Sequence, residues 1–393
     1  MPIDHAVRAL QRTNPELEIW WDSSPLVYRD WLAGPGRAYT EAGLFDVSEG
    51  DGAGPRFATS SLLRGATTNQ PLTWQVLEKY PEPWAAWIAA QHHENPGLTA
   101  KEAARHVFVE IAARGADMLA PIFGGSQHRH GQICCQVDPR DVTDLEAMLA
   151  QARNIHAARP NIMVKLPGTK EGIAAVRTCT AEGIPTNVTL GYTVAQMLAV
   201  GEAARAGLAE ARQCGTDLSC WRSCAVMMLG RYEDAPPMKA QARELGIELT
   251  DADLRWAGIA IFRKAYRLYQ DRDYPTKLMA ASMRPGPVVD GVTRVWHLEK
   301  LAGAGSVMTV FPNIFEAFLA NYACLPIEPQ IDQAVPDDVL ELLLRIPYFV
   351  EAYEEKGLTP EEFALHPALQ LTAASFAEAM DKIEGFAARF VGT

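Results

Sequence analysis

Eight short apolar segments, separated by stretches of helical character, recur along the chain and restrict its fold more than any other feature. Strands that alternate with helices over a chain of this length predict an α/β fold with a parallel sheet. Eight such units predict a closed (β/α)8 TIM barrel, with extra helices before the third strand and at the C-terminus. The predicted strands are residues 18–22, 65–69, 132–138, 161–167, 185–190, 224–229, 277–282 and 306–311.

A doubly wound open sheet is the alternative architecture. It is disfavoured because no Gly-x-Gly-x-x-Gly turn follows any early strand. We therefore expect a single barrel domain over residues 1–393, with a C-terminal helical extension over residues 313–393. Residues 23–64 and this extension could cap the barrel mouth or build a homodimer interface, and the sequence leaves both options open.

Charge and cysteine content restrict the class of protein. The net charge of −12 disfavours non-specific nucleic-acid binding but permits a local basic pocket. Seven cysteines, an odd number scattered through apolar segments, favour a reduced cytoplasmic setting. There is no signal-peptide pattern, and no apolar run approaches the roughly 20 residues that span a membrane. His128 and His130 lack a clear third ligand, so we expect no metal site.

One lysine stands inside an apolar strand-like run, NIMVKLPGT, at 161–169. Burial disfavours the charged ammonium and lowers the pKa of a lysine. A lysine that is neutral near physiological pH is the nucleophile of Schiff-base chemistry on carbonyl compounds. Lys165 is therefore a candidate imine-forming residue.

Further polar side chains fall at the C-terminal ends of the predicted strands, where barrel enzymes place their chemistry. Alternate strand residues point inward, so an inward Lys165 leaves Val164 and Leu166 to pack against helices. Because guanidinium groups suit phosphate dianions, the set favours a phosphorylated ketose as substrate. Its members are Asp22, Asn69, Gln136, Lys165, Asn187, Thr189, Arg231, Ser282 and Arg284.

Four segments resemble signature motifs of transaldolases. They read NIMVKLPGTKEGI at 161–173, GIPTNVTL at 183–190, GATTN at 65–69 and LMAASMR at 278–284. Gly230 and Arg231 are similar to the family's phosphate-site segment. The likeness runs from about residue 18 to 311 with the motifs in the family's order, so the chain is identified as a divergent member of the transaldolase family within the class I aldolases.

The resemblance implies a transaldolase-type transferase that needs no metal or organic cofactor. Lys165 would form a Schiff base with the C2 carbonyl of a ketose phosphate. Asp22 would take the proton of the C4 hydroxyl as the C3–C4 bond breaks. Thr189 would position a catalytic water, which Gln136 could help to orient. The dihydroxyacetone unit left on Lys165 would pass to an aldose phosphate.

The resemblance also implies how the substrate is held. Asn69 and Asn187 would form hydrogen bonds with hydroxyl groups of the sugar. Arg231 and Arg284, with Ser282 nearby, would hold its phosphate group.

Two positions depart from the transaldolase pattern. Gln136 stands where transaldolases usually have a glutamate, and an amide does no acid–base work; related fructose-6-phosphate aldolases carry glutamine there. Met228 matches neither the phenylalanine of transaldolases nor the tyrosine of those aldolases. An aldolase that makes or uses free dihydroxyacetone is therefore a second hypothesis. A non-catalytic sugar-phosphate binding protein is a third.

Overall fold

The computed structural model describes residues 6–37, 47–48 and 55–391. Within them, eight parallel strands close into a barrel in which each strand pairs with the next and the last pairs with the first. The predicted (β/α)8 barrel is confirmed. The strands are β1 (Glu18–Trp21), β2 (Leu63–Ala66), β3 (Gln132–Gln136), β4 (Ile162–Pro167), β5 (Thr186–Gly191), β6 (Ser223–Met228), β7 (Lys277–Ala281) and β8 (Val307–Val310).

The strands are apolar because both of their faces are covered. Every barrel-strand residue is buried except Arg64 and Lys277, which lie near the N-terminal ends of β2 and β7. Side chains fill the barrel interior on one face, and the surrounding helices cover the other. The register places Lys165 of β4 opposite Gln136 on β3 and opposite Asn187 on β5.

Helices surround the barrel and continue after its last strand. They are α1 (Ala6–Arg12), α2 (Tyr28–Ala33), α3 (Gln70–Lys79), α4 (Pro81–Glu94), α5 (Ala100–Gly125), α6 (Leu145–Ala158), α7 (Lys170–Ala181), α8 (Val194–Cys214), α9 (Leu229–Glu233), α10 (Pro236–Glu244), α11 (Asp251–Asp271), α12 (Trp296–Glu299), α13 (Pro312–Asn321), α14 (Asp337–Leu343), α15 (Pro347–Tyr353) and α16 (Pro367–Ala387). In the described part of the chain, none of these helices is long and apolar enough to cross a membrane.

Short elements complete the described structure. Two antiparallel strand pairs lie outside the barrel, and single 3-10 turns precede α2, α6 and α16. The strand pairs are Val47–Ser48 with Arg56–Phe57 and Val288–Val289 with Val292–Thr293, and the turns are Pro25–Val27, Pro139–Asp141 and Pro360–Leu365. Residues 38–46 and 49–54 of the 23–64 segment lie outside the described residues.

The extra helices before the third strand are α3, α4 and α5. Helix α3 ends before Pro81, which begins α4, because proline has no backbone N–H to continue the preceding helix. Helix α5 begins at a capping box, in which Thr99 Oγ1 accepts from the Glu102 N–H (3.2 Å) and the Glu102 carboxylate accepts from the Thr99 N–H (2.9 Å).

Strand β2 ends earlier than the predicted 65–69, and the hydrogen bonds show why. The Thr68 hydroxyl donates to the Cys134 carbonyl at 2.6 Å. Asn69 is the N-cap of α3, and its Oδ1 accepts from the Leu72 N–H at 3.0 Å. The polar end of the GATTN motif is therefore a strand-to-helix turn.

The C-terminal helix α16 folds back over the barrel. It packs against α3 and α5, with the Phe386 and Trp74 rings 6.5 Å apart. Its buried face includes Phe376 and Met380. This helix brings side chains from the far end of the chain to the barrel mouth.

Candidate active site

A cavity of about 160 Å³ lies at the C-terminal mouth of the barrel. Residues within β4 to β8 line it, together with residues that follow the carboxyl ends of β1, β2, β6, β7 and β8 and with Phe376 of α16. Seven of the nine predicted site residues share this cavity: Asp22, Asn69, Lys165, Thr189, Arg231, Ser282 and Arg284.

Lys165 is buried in the middle of β4 with its ammonium group in the cavity. Its Nζ donates to the Thr68 carbonyl at 3.3 Å. Burial lowers its pKa, opposed by the nearby Asp22 carboxylate and reinforced by the Arg231 guanidinium. The amine is therefore more easily deprotonated than an ordinary lysine.

Asp22 is the residue after β1, and its backbone N–H donates to the Val310 carbonyl at 3.0 Å. The Thr67 hydroxyl donates to Asp22 Oδ1 at 2.7 Å. Because Thr67 has a single hydroxyl hydrogen, the Thr309 hydroxyl, 2.5 Å away, donates to Thr67 in turn. Burial raises the pKa of Asp22, against the opposing charge of Lys165 and this hydrogen bond.

The two pKa shifts have opposite signs, and each favours the neutral form of its group. The lysine loses its proton more readily, and the carboxyl keeps its proton to a higher pH. Because the shifts bring the two pKa values closer together, a pair of this kind can exchange a proton with a bound molecule.

One wall of the cavity contains a methionine between two hydroxyl groups. Thr189 Oγ1 lies 3.7 Å from Met228 Sδ, and the Tyr192 hydroxyl lies 3.5 Å from the same sulfur. The Tyr192 hydroxyl donates to Thr372 Oγ1 of α16 at 2.7 Å. The methionine side chain makes this wall flexible and mostly apolar. The hydrogen bond between Tyr192 and Thr372 connects the C-terminal helix to the end of β5.

Two arginines form the cationic end of the cavity. Arg284 Nε donates to Asp234 Oδ2 at 2.8 Å, and its Nη1 donates to the Ser282 carbonyl at 3.0 Å. The Arg231 guanidinium lies 5.4 Å from the ring centroid of Phe376 on α16. Both groups stay charged in proteins, so this end attracts anions.

The backbone is closely packed beside the arginines. The Gly230 N–H donates to the Ser282 carbonyl at 3.0 Å, and a Cβ at position 230 would lie 2.2 Å from that oxygen. Only glycine fits this approach. Ser282 adopts a left-handed conformation with φ of 59°, which is uncommon for a residue with a side chain and typical of functional sites.

Two predicted site residues do not line the cavity. Asn187 is fully buried next to Lys165; its Nδ2 is directed at Met279 Sδ at 3.7 Å, and its Oδ1 has no partner among the described residues. Gln136 is also buried, and its Oε1 likewise has no described partner. It borders a separate cleft of about 880 Å³ on the outer side of the barrel, next to α5 and α6.

The cavity also contains residues that the motifs did not single out. Thr67 and Thr309 form the hydroxyl chain that ends at Asp22, and Phe311 and Phe376 add aromatic walls. Thr67 lies within the GATTN motif, so the sequence could have identified it as a site residue. Phe376 lies on a helix beyond the last strand and outside the recognised motifs, so the sequence could not identify it.

No three His, Cys, Asp or Glu side chains of the described residues are grouped so that they could hold a metal ion. His128 instead stacks on Phe123, with the ring centroids 4.5 Å apart.

The fold and the cavity define the class: a (β/α)8-barrel protein with a buried lysine, a carboxyl group in the same cavity and two arginines at its C-terminal mouth. The sequence profile of the transaldolase/fructose-6-phosphate aldolase family matches residues 46–385. The chain belongs to this family, as its motifs predicted.

Three relatives illustrate the similarity. A transaldolase of Thermobifida fusca is 33% identical over 177 residues, which cover 44% of this chain and 48% of the relative. A transaldolase of Parafrankia sp. is 28% identical over 281 residues, 67% of this chain and 75% of the relative. A transaldolase of Thiobacillus denitrificans is 28% identical over 305 residues, 74% and 83% of the two chains. The match thus spans about half of the first relative and most of the other two.

Proposed function

We propose that the protein is a transaldolase-like transferase that moves a dihydroxyacetone unit from a ketose phosphate to an aldose phosphate through a Schiff base on Lys165. The observation that carries the proposal is the shared cavity of Lys165 and Asp22, with oppositely shifted pKa values, closed at one end by two arginines. Family membership and relatives named transaldolase agree with it.

The chemistry begins with the neutral amine of Lys165. It adds to the C2 carbonyl of the ketose, and the Asp22 carboxyl group gives up a proton as the oxygen leaves as water, so that a protonated C=N bond and an Asp22 carboxylate remain. As the C3–C4 bond breaks, its electron pair moves toward this iminium and forms an enamine. The C4 hydroxyl becomes the aldehyde of the departing aldose, and its proton passes to Asp22.

The second half of the reaction reverses these steps on a new aldehyde. The enamine carbon attacks the acceptor, and Asp22 returns a proton to the new hydroxyl group. Water then hydrolyses the imine and frees Lys165. Thr189 would position that water, and Gln136, opposite Lys165 on β3, would help to orient it.

The remaining cavity residues hold the substrate in this scheme. Arg231 and Arg284, with Ser282, bind the phosphate group. Because Asn69 Oδ1 caps α3, its Nδ2 is the atom available to a sugar hydroxyl. Asn187, one strand from Lys165, offers to a hydroxyl of the covalently bound unit its Oδ1, which has no hydrogen-bond partner within the described part of the chain.

An aldolase that releases free dihydroxyacetone is the second candidate. Gln136 favours it because an amide cannot supply the acid–base function of a carboxylate. The two functions differ in whether turnover requires an aldose phosphate acceptor. Product analysis with and without acceptor separates them: an aldolase releases dihydroxyacetone from the donor alone, whereas a transferase turns over the donor only when acceptor is present.

The central test is trapping of the imine. The protein is incubated with a ketose phosphate and borohydride, and peptides are analysed by mass spectrometry. We expect a three-carbon adduct on Lys165, its loss in Lys165→Ala, and its retention in Lys170→Ala, which removes an exposed lysine near the same strand. If no donor leaves an adduct on Lys165, the Schiff-base mechanism is wrong.

A further inference from the structure

A buried polar network lies behind the arginine end of the cavity and takes no part in the proposed chemistry. The Arg284 backbone N–H donates to His297 Nδ1 at 3.1 Å. His297 Nε2 lies 2.7 Å from Glu233 Oε1, and Arg255 Nη1 lies 2.8 Å from Glu233 Oε2. His297, Glu233 and Arg255 are all buried, and none of them lines the cavity.

The two neighbours of His297 determine its tautomer. Its Nδ1 accepts the Arg284 backbone hydrogen, so the lone pair of that nitrogen is in use. The ring proton must then be on Nε2, from which it is donated to Glu233. The other tautomer would direct two hydrogens at each other between His297 and Arg284.

The network connects the two chain segments that carry the arginines at the arginine end of the cavity. Glu233 is the last residue of α9, the short helix that carries Arg231. His297 is on α12 and reaches the loop after β7 that carries Arg284. Helix α11 leaves space for the carboxylate, because a Cβ at Gly258 would lie 2.2 Å from Glu233 Oε1. These contacts fix the two arginine-bearing segments relative to each other.

We infer that His297 is a positioning residue for phosphate binding, acting through the Arg284 backbone, and that Glu233 holds it in the required tautomer. The inference deepens the proposed function, since it rests on Arg231 and Arg284 as the phosphate-binding groups. A buried carboxylate is costly unless it is paired and hydrogen-bonded. Glu233 has a hydrogen-bond partner in His297 and an ion-pair partner in Arg255, and it thereby supports the segment that carries Arg284.

Two substitutions separate the two hydrogen bonds of His297. In His297→Asn the amide oxygen takes the place of Nδ1 and still accepts from Arg284, while the bond to Glu233 is lost. In His297→Gln the amide nitrogen takes the place of Nε2 and donates to Glu233, while Arg284 loses its acceptor. The variants are thus matched controls for each other.

The experiment measures two properties of each protein. Binding of inorganic phosphate is measured by calorimetry, and Lys165 chemistry is measured as the adduct formed with unphosphorylated dihydroxyacetone and borohydride. We expect His297→Gln to bind phosphate about tenfold more weakly, the scale of one lost hydrogen bond. His297→Asn should stay within about threefold of the natural protein, and all three should form the adduct equally.

The outcomes distinguish the two claims. If the unsubstituted protein forms no adduct, the proposed function fails, but the phosphate measurement still tests His297. If His297→Gln binds phosphate as tightly as the unsubstituted protein, or both variants weaken phosphate binding and adduct formation together, His297 has only a structural role and the inference is wrong.

A measurement on the unsubstituted protein covers the case in which a variant does not fold. Nitrogen-15 NMR of the histidine rings should show His297 with its proton on Nε2. Addition of inorganic phosphate should shift that ring's resonances. The inference would be wrong if the His297 ring carried its proton on Nδ1, or if its nitrogen resonances did not shift when phosphate is added.

Discussion

At the scale of single residues, the opposed pKa shifts of Lys165 and Asp22 determine the pH range in which the site can react. Burial lowers the pKa of the lysine, and the Asp22 carboxylate partly offsets this effect. The neutral amine should therefore be available at a lower pH than for an exposed lysine, whose pKa is about 10.4.

This balance makes a prediction for Asp22→Asn. The rate of adduct formation on Lys165 with dihydroxyacetone should rise with pH and level off below the range of an ordinary lysine. Because the neutral amide of the variant would no longer stabilise the ammonium form, the profile of Asp22→Asn should move to lower pH still. Mass spectrometry of the adduct across the pH range measures both profiles, with the exposed Lys170 as internal reference. A shift of the Asp22→Asn profile to higher pH would contradict the assigned interaction.

The burial of Lys165 in an apolar strand was predictable from the sequence, but the exact surroundings of this lysine were not. A lysine in an apolar strand that ends in Pro-Gly is predicted to be buried near the end of that strand. Asp22 stands at the end of the first predicted strand, which places it at the same end of the barrel. Asn187 and Gln136 were also placed at strand ends, yet both lie outside the cavity. The sequence gives strand parity, whereas the depth at which a side chain lies depends on the stagger between strands.

At the scale of elements, the N-terminal end of the barrel is held by a charged cluster around Glu18 of β1. Glu18 Oε1 lies 2.5 Å from Arg222 Nη2 and 2.7 Å from Lys277 Nζ, while Trp20 Nε1 donates to Oε2 at 3.0 Å. Burial would raise the pKa of Glu18, but Arg222, His130 and Lys277 together hold it well below its ordinary value. The cluster joins β1 to the starts of β6 and β7.

Glu18→Gln should therefore lower the free energy of unfolding by about 3–5 kcal/mol at neutral pH, because it leaves two cations without their buried partner. A pKa that is lowered by folding gives stability that is present above the unfolded value and is lost as the pH falls through the folded value. The difference between the two proteins should thus shrink in acid. Urea unfolding at several pH values measures it. Glu182→Gln, at an exposed pair with Arg153, is the control and should have little effect; equal effects would refute the role of Glu18.

Helix α16 contributes a side chain to the cavity, which the number of predicted strands could not reveal. Its helical pattern was predicted, but a periodic pattern does not specify where a helix docks. The structure places Phe376 in the cavity and against Arg231. This helix thus contributes to the wall of the cavity, while the question of an oligomer interface stays open.

Phe376→Ala tests that contact. Removing a buried phenylalanine should lower the free energy of unfolding by about 3–5 kcal/mol. Loss of the ring beside Arg231 should also weaken phosphate binding. Leu371→Ala, on an exposed position of the same helix, should change stability by no more than about 0.5 kcal/mol. Calorimetry and urea unfolding give both quantities, and a Phe376→Ala protein with unchanged phosphate affinity would show that α16 only covers the core.

At the scale of the whole molecule, eight strand–helix units were recognisable because each barrel strand is buried on both faces and therefore reads as an apolar run. Apolar runs do not predict which helices unfold together with the barrel. Helix α16 buries Phe376, Met380 and Ile383, whereas α14 buries Leu343 alone. We propose from this difference that α16 unfolds together with the barrel, as the predicted single domain would require.

Hydrogen exchange under native conditions can test this proposal. Amides in the middle of α16 should exchange only through the same large opening that exposes β4 and β5, so their opening free energies should coincide and fall together as urea is added. Amides of α14 should exchange through a smaller, local opening that depends little on urea. Mass spectrometry of peptides from the three regions gives these values from a single sample. If the opening free energy of α16 is instead as low as that of α14, α16 can detach from the barrel mouth while the barrel stays folded. The detachment of α16 would then control the access of substrate to Lys165.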